Sequence, residues 1–142
     1  MLNNFLFSKS ESLNSIYSNL ALLGLRLFAG LTMAFAHGQG KMPPEDMFVG
    51  YLESMGLPFP ILLAWLAALS EFVGGILVAI GFLTRPAALA LVVTMLVAAF
   101  MAHAADPFAK KEMALLFTSI FAYIFVAGAG KFAVDNKITL KK

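Results

Sequence analysis

Two ionisable side chains interrupt long apolar stretches of this sequence, and they are the first candidates for chemistry. Arg26 lies in the first apolar stretch and Glu71 in the second. An ionised side chain inside a bilayer costs several kcal/mol unless it is paired or hydrated, so such residues usually mark a functional site. Measured along each helix from opposite membrane edges, both lie about 12 to 16 Å deep, at nearly the same level. The sequence therefore predicts an Arg26–Glu71 pair that either fixes helix register or forms part of a ligand site.

A second polar group is predicted at the extracytoplasmic ends of the helices. His37 ends the first apolar stretch, His103 ends the third, and Glu112 precedes the fourth, with Lys41 close to His37. Histidine changes its protonation near neutral pH, so two histidines beside a carboxylate suit a proton relay or the mouth of a pocket. Because HxH and HExxH spacings are absent, no metal site is predicted. The competing interpretation is that these side chains simply face water or cap helix ends.

Tyr123 is the remaining candidate. Glu112, Ser119 and Tyr123 fall on one face of a predicted fourth helix, and Tyr123 then reaches about the depth of Glu71. We therefore predict a polar path from the surface to a ligand-binding floor within the membrane. The candidate ligand-binding residues are Arg26, Glu71 and Tyr123 at its floor, and His103 nearer the mouth. The candidates for a proton relay or for the pocket mouth are His37, Lys41 and Glu112.

The elements that must position these residues are four apolar stretches, at 20–36, 61–83, 86–102 and 113–129. Each is long enough, as a helix, to cross the roughly 30 Å hydrocarbon core of a bilayer. Backbone groups in lipid must bond within their own segment, which favours helices. The 142 residues are 61% hydrophobic and only 13% charged, which excludes disorder and argues against a soluble domain. We predict an all-α integral membrane four-helix bundle.

A short amphipathic segment is expected between the first and second spans. Its apolar residues recur on one helical face, at Met47, Phe48, Tyr51, Leu52 and Met55. The pattern predicts an interfacial helix that caps one end of the bundle.

The charges outside the apolar stretches predict the orientation. In a four-span topology, one side carries Lys9, Arg85, Lys131, Lys137, Lys141 and Lys142, and the other carries Lys41, Lys110 and Lys111. By the positive-inside rule, both termini face the cytoplasm from the inner or plasma membrane. The predicted parts are an N-terminal cytoplasmic or interfacial segment (1–17), a transmembrane domain (18–135) and a basic cytoplasmic tail (136–142). A cleaved signal peptide is the alternative for the first stretch, and Arg26 within it argues against cleavage.

Composition also limits the partners. The net charge is only +2 and no basic stripe is present, so no nucleic-acid partner is expected. Without cysteine, the chain has no disulfide framework and no thiol redox pair. The expected partners are the lipid bilayer and either a second copy of the chain or another membrane subunit.

Several short motifs, taken in order, resemble the DoxX family of small membrane proteins. They are Arg26 with Gly30, HGQGK at 37–41, EFVGG at 71–75, GFLTR at 81–85, His103 and GAGKFAVD at 128–135. The resemblance covers residues 20–135 and implies a four-helix membrane fold. It also implies an association with quinone-dependent oxidation, membrane oxidoreductase complexes and oxidative-stress handling. A related branch of the family uses cysteines, and their absence here removes that thiol mechanism.

Three functions follow as expectations. The first is a redox-associated subunit that binds a quinone or a similar apolar ring, because an apolar, aromatic bundle with a few polar groups suits a small-molecule pocket. In this interpretation Arg26 and Tyr123 donate hydrogen bonds to a ring carbonyl, while Glu71 or His103 carries protons. The alternatives are a non-enzymatic subunit that assembles with an oxidoreductase complex, and a small transporter that uses the intramembrane charges. Whether the protein is an enzyme by itself stays open.

Overall fold

A computed structural model describes residues 15–139, and the chain within that range folds into helices without a β-strand. In chain order they are α1 (Ile16–Lys41), α2 (Asp46–Ser54), α3 (Pro60–Ile80), α4 (Thr84–Ala102), α5 (Phe108–Ala127) and α6 (Val134–Thr139). The helices α1, α3 and α4 are long and apolar enough to cross a membrane. The helix α5, with 20 residues, is similar in length to α3 and α4, but Lys110, Lys111 and Glu112 make its first turns polar. The expected all-α membrane bundle is confirmed.

The helix ends differ modestly from the predicted boundaries. Ser15 caps α1, because its side-chain oxygen accepts a hydrogen bond from the Ser18 amide at 3.0 Å. Most of the predicted N-terminal segment (residues 1–14) and the end of the basic tail (residues 140–142) lie outside the described residues. The short helix expected between the first two spans is present as α2.

Small residues bring α1 and α3 into backbone contact as an antiparallel pair. A Cβ atom built on Gly30 would lie 2.5 Å from the Gly75 carbonyl oxygen and 2.8 Å from the Ala79 nitrogen. A Cβ on Gly75 would lie 2.9 Å from the Ala34 nitrogen. Such close approach is typical of small-xxx-small packing in membranes, where contact between helices depends on van der Waals packing. The contact fixes which residues of α1 and α3 lie side by side.

The helices α4 and α5 complete the core. They pack chiefly against each other, and α5 makes a smaller contact with α1. The fully buried side chains between the two ends of the bundle are apolar, and they include Met33, Val78, Leu91 and Phe121. Among the described residues, the buried polar or charged side chains are Asn19, Arg26, Glu71 and Thr84.

After α5 the chain turns back beneath the bundle. The turn uses Gly128 and Gly130, both with a positive φ, and the Lys131 amide then donates to the Asn19 side-chain oxygen at 2.6 Å. Asp135 reaches the start of α4, where its carboxylate accepts hydrogen bonds from the backbone amides of Leu83 and Thr84, each at 2.9 Å. We call residues 128–135 the closing segment. It ties together the start of α1, the start of α4 and the end of α5.

The α1–α3 contact leads to a stability prediction. Gly30→Ala should lower the midpoint of thermal unfolding in detergent by roughly 2 to 10 °C, because the added methyl group meets backbone and costs about 1 to 3 kcal/mol. Gly24→Ala is the matched control on the same helix, since a Cβ there has nothing within 4 Å. Equal midpoints for the two variants would contradict the close contact.

Candidate functional site

Four helices surround a cavity of about 160 Å³ at the end of the bundle where α1 and α4 finish. We call it the histidine cavity. Its polar lining consists of His37, Lys41, Glu71, His103 and Lys110. Its apolar lining consists of Met33, Met95, Ala98, Met113, Ala114 and Phe117. Two predicted ligand-binding residues, Glu71 and His103, thus lie with two predicted relay or mouth residues, His37 and Lys41.

The central interaction in the cavity is an ion pair between Lys41 and Glu71. The Lys41 ammonium donates to both carboxylate oxygens of Glu71, at 2.6 and 2.7 Å. The Glu71 side chain is 3% exposed, whereas that of Lys41 is 33% exposed. A buried carboxylate without a partner is strongly destabilising, and Lys41 supplies that partner for Glu71.

The short helix α2 lies beside this pair. The Lys41 ammonium lies 5.6 Å from the centre of the Phe48 ring, within the range of a cation–π contact. The Tyr51 hydroxyl donates to the Ala102 carbonyl at 3.0 Å. The helix α2 therefore supports both Lys41 and the end of α4.

Irregular helix turns carry the residues of the cavity. Each of the three long apolar helices has a π-helical stretch beside the cavity, at Met33–Gly38 and Ala98–Ala102 near the ends of α1 and α4, and at Ser70–Gly74 in the middle of α3. His37 and Glu71 lie within two of these turns, and His103 directly follows the third. Single π-helical turns occur frequently at functional sites, because they redirect side chains relative to a regular helix.

His103 is held by a neighbouring carboxylate. Its Nδ1 lies 2.7 Å from an oxygen of Asp106, and Lys110 approaches Asp106 at 3.6 Å. The hydrogen bond with His103, helped by the charge of Lys110, holds the pKa of Asp106 below its ordinary value. Since a carboxylate only accepts, neutral His103 carries its proton on Nδ1 and keeps Nε2 as an acceptor. His37 has an aromatic neighbour instead, with its ring edge-on to Phe117 at 5.6 Å.

Arg26 lies at the opposite end of the bundle, which makes the predicted Arg26–Glu71 pair wrong. It is fully buried, and its Nη2 donates to the Phe132 carbonyl at 2.7 Å. The depth estimate failed because it measured each helix from the end of its apolar stretch. The actual α1–α3 register sets Glu71 beside Gly38, while Arg26 lies against Gly81.

The closing segment surrounds the Arg26 guanidinium. A Cβ on Gly81 would collide with Nη1 of Arg26 and with Ala133, so this position requires glycine both for space and for its positive φ. Within residues 15–139, Nη1 and Nε have no hydrogen-bond partner. Asp135 is near enough for its charge to interact with that of Arg26. Arg26 therefore joins α1 to the closing segment.

Tyr123 and Glu112 are not in the histidine cavity, so the predicted polar path is also wrong. The predicted shared face of Glu112, Ser119 and Tyr123 does exist on α5, but it is an exposed face. Tyr123 lies about one turn before the end of α5 and lines a different pocket, near Asn19 and Thr84. Helical periodicity identified the face correctly, but it does not show whether that face lies towards the bundle interior or on the exposed surface.

Sequence reasoning missed several residues in and beside the cavity. Asp106 could have been identified from the sequence, because it follows His103 by three residues and an acidic residue at that spacing can reach the imidazole. Lys110 is one turn further on. The apolar lining gave no signal, because methionine and phenylalanine are frequent throughout this chain.

Comparisons with known proteins agree with this architecture. A family model described as DoxX matches residues 21–104, more than half of the chain. An uncharacterized protein of Haemophilus influenzae is 42% identical over 89 residues, which cover 58% of this chain and 65% of that protein. The inner membrane protein YphA of Escherichia coli is 34% identical over 82 residues, which cover 58% of this chain and 59% of that protein. The chain thus matches less than two thirds of the length of each relative. No solved structure gives a match.

Asp135 gives a pH prediction for the end of the bundle opposite the cavity. Burial acts to raise the pKa of Asp135, but hydrogen bonds from Thr84 and Leu83 and the charge of Arg26 together hold it below its ordinary value. A depressed folded-state pKa stabilises the protein above the unfolded pKa of about 4, and this stabilisation is lost as the pH falls through the folded value.

Asp135→Asn should therefore lower the unfolding midpoint at pH 7, with a cost of about 1 to 2 kcal/mol, and should flatten its decline between about pH 5 and pH 3. Thermal unfolding in detergent across this pH range measures both effects. Glu53→Gln, at an exposed position on α2, serves as the control. If Asp135→Asn follows the wild-type pH curve, the carboxylate does not have this role.

Proposed function

Because this chain belongs to the DoxX family of membrane proteins, we propose that it is a redox-associated membrane subunit that binds the ring of a quinone, or of a similar apolar molecule, in the histidine cavity. The observation that carries the proposal is the Lys41–Glu71 ion pair, with its buried carboxylate, on the wall of a cavity lined by both apolar and polar side chains. Such a combination of apolar walls with a few polar groups is typical of small-molecule sites.

The size of the cavity supports a single ring as the ligand. A buried apolar cavity of about 150 Å³ is large enough to bind benzene. The histidine cavity, at about 160 Å³, offers comparable space. Its walls include thioether and aromatic side chains, from Met33, Met95, Met113 and Phe117, which adapt well to a flat ring.

The polar residues of the cavity have the chemistry that a ring carbonyl needs. Lys41 is a donor whose charge is balanced by Glu71, so it can shift a hydrogen bond towards a ligand without leaving an unpaired buried ion. The His103–Asp106 pair leaves Nε2 of His103 as an acceptor, able to take a proton from a ligand hydroxyl. Arg26 and Tyr123, which sequence reasoning gave this role, do not line the cavity.

A bound quinone would supply two-electron, two-proton redox chemistry, and the contribution of this chain is to bind the ring and to move protons. The sequence contains no cysteine and hence no thiol pair of its own. We therefore assign the electron source to an oxidoreductase subunit that assembles with this protein. This assignment combines two of the functions expected from the sequence, namely quinone binding and assembly with an oxidoreductase complex.

A transporter receives less support. A transported polar solute would need polar groups along its route, whereas the buried side chains between the Glu71 and Arg26 levels are apolar. The two intramembrane charges that motivated this alternative lie at opposite ends and do not form one carrier site.

A binding experiment tests the proposal. Purified protein in detergent is titrated with short-chain ubiquinone and menaquinone analogues, and the bound fraction is measured by equilibrium dialysis. Ala98→Leu should weaken binding by about tenfold or more, since the larger side chain fills the cavity and displacing it costs about 1 to 3 kcal/mol.

Ala90→Leu is the matched control, because Ala90 is on the same helix but lines a different groove. It should leave quinone affinity within about twofold of the wild-type value. Failure of both analogues to bind the wild-type protein would refute the function. Equal affinities for the two variants would refute the site.

The orientation is also a proposal, and it rests on the charge count of the sequence. With both termini in the cytoplasm, the histidine cavity faces the opposite side of the membrane. A reporter enzyme that is active only in the cytoplasm should give signal when fused after Lys142 and none when inserted after Gly56, in the connection between α2 and α3. The reverse pattern would overturn the orientation.

A further inference from the structure

A second and larger pocket lies at the opposite end of the bundle from the histidine cavity. It has a volume of about 510 Å³, and the two share no lining residue. The start of α1, the start of α4 and the end of α5 meet there with the closing segment. Its polar lining includes Asn19, Thr84, Arg85, Tyr123, Lys131 and Asp135. We call it the Tyr123 pocket.

Two cations of this pocket are available to a ligand. The Arg85 guanidinium makes one long hydrogen bond, 3.4 Å to the Val126 carbonyl, and lies against Gly128. The Lys131 ammonium makes no hydrogen bond or ion pair within residues 15–139, and neither cation is paired with a carboxylate in that range. Both side chains are exposed to the pocket opening.

The carboxylate in the pocket is already engaged. Asp135 accepts hydrogen bonds from the Leu83 amide, the Thr84 amide and the Thr84 hydroxyl, and its charge interacts with that of buried Arg26. The lining residues Arg85 and Lys131, with buried Arg26 nearby, carry three positive charges against the one negative charge of Asp135. The local field of this pocket favours an anion.

Tyr123 adds a neutral donor at the same place. Its side chain is 47% exposed, and its hydroxyl has no hydrogen-bond partner in the described part of the chain. Tyrosine is enriched where membrane helices meet the head-group region, which is where a residue one turn before the end of α5 would lie.

We propose that the Tyr123 pocket binds a phosphate-bearing anion, held by Arg85, Lys131 and the Tyr123 hydroxyl. Arginine binds phosphate oxygens with two parallel hydrogen bonds, and lysine binds them as a point charge. Basic pockets between transmembrane helices are known binding places for anionic lipid head groups.

The source favoured by the surroundings is the phosphodiester of an anionic phospholipid. The helix surfaces beside the pocket expose apolar side chains, including Tyr17 at 74%, Leu20 at 50% and Val126 at 74%. These side chains would contact the acyl chains of a lipid whose head group occupied the pocket. Inorganic phosphate is the other source of the same chemistry.

The test compares ligands on the full-length protein in a neutral detergent at constant ionic strength. Phosphatidylglycerol, phosphatidylcholine or inorganic phosphate is added, and the unfolding midpoint and the mass of bound lipid are measured. Phosphatidylglycerol should bind more tightly than phosphatidylcholine and raise the midpoint. The double variant Arg85→Gln/Lys131→Gln should bind phosphatidylglycerol about 25-fold more weakly, at about fivefold per cation.

The control removes the same charge elsewhere. Lys111→Gln/Lys137→Gln should keep its affinity for phosphatidylglycerol within about twofold of wild type, since neither lysine lines the pocket. If the control variant loses as much affinity as the pocket variant, the loss comes from the lower net charge alone, and the proposal is overturned. It is also overturned by equal binding of phosphatidylglycerol and phosphatidylcholine by the wild type together with no protection by inorganic phosphate.

Two further outcomes also test the proposal. If millimolar inorganic phosphate protects the wild type but not the pocket variant, and phosphatidylglycerol adds nothing, the anion site stands with free phosphate as its source. If the double variant does not fold in lipid-free detergent, Lys131→Gln alone replaces it, with an expected fivefold loss, because that side chain makes no described contact. The site is independent of quinone binding, so either proposal can fail without the other.

Discussion

The close contact between α1 and α3 is the constraint on which the rest of this structure depends. Gly30, Ala34, Gly75 and Ala79 let the two backbones meet directly, and a contact without side chains between the helices allows little sliding. Its register brings the end of α1 beside Glu71. The same register carries Arg26 to the far end of α3, against Gly81. A shift by one helical turn would move both charges away from their partners.

The two buried charges are satisfied in different ways, and this difference separates the ends of the bundle. Glu71 is neutralised by one long side chain, Lys41, which comes from the last turn of the adjacent helix and remains partly hydrated. Arg26 donates to a backbone carbonyl of the closing segment and interacts with the charge of Asp135, and the chain supplies this segment only after all four long helices are complete. Glu71 therefore borders a cavity, whereas Arg26 is enclosed by the closing segment.

The sequence predicted correctly those helices that a hydrophobic pattern alone determines. Long apolar stretches predicted the four long helices, and the spacing of Met47, Phe48, Tyr51 and Leu52 predicted α2. The candidate site was only half predictable. His37, Lys41, Glu71 and His103 do line one cavity, but Arg26, Tyr123 and Glu112 lie elsewhere, because depth along a helix does not give the register between helices. The π-helical turns and the capping of α4 by Asp135 depend on tertiary contacts, for which a single sequence has no local signal.

The motifs that resemble the DoxX family divide between these two ends, and this bears on what family membership implies. GFLTR and the closing GAGKFAVD supply Gly81, Thr84 and Asp135, which enclose Arg26 and cap α4. Their presence is explained by the fold. HGQGK and EFVGG supply Lys41 and Glu71, whose ion pair lies on the wall of a cavity, and also Gly38 and Gly75, which the α1–α3 contact requires. Inference about the proposed function therefore depends on Lys41 and Glu71, and a DoxX relative that kept the closing contacts but lacked these two residues would share this fold without sharing its site.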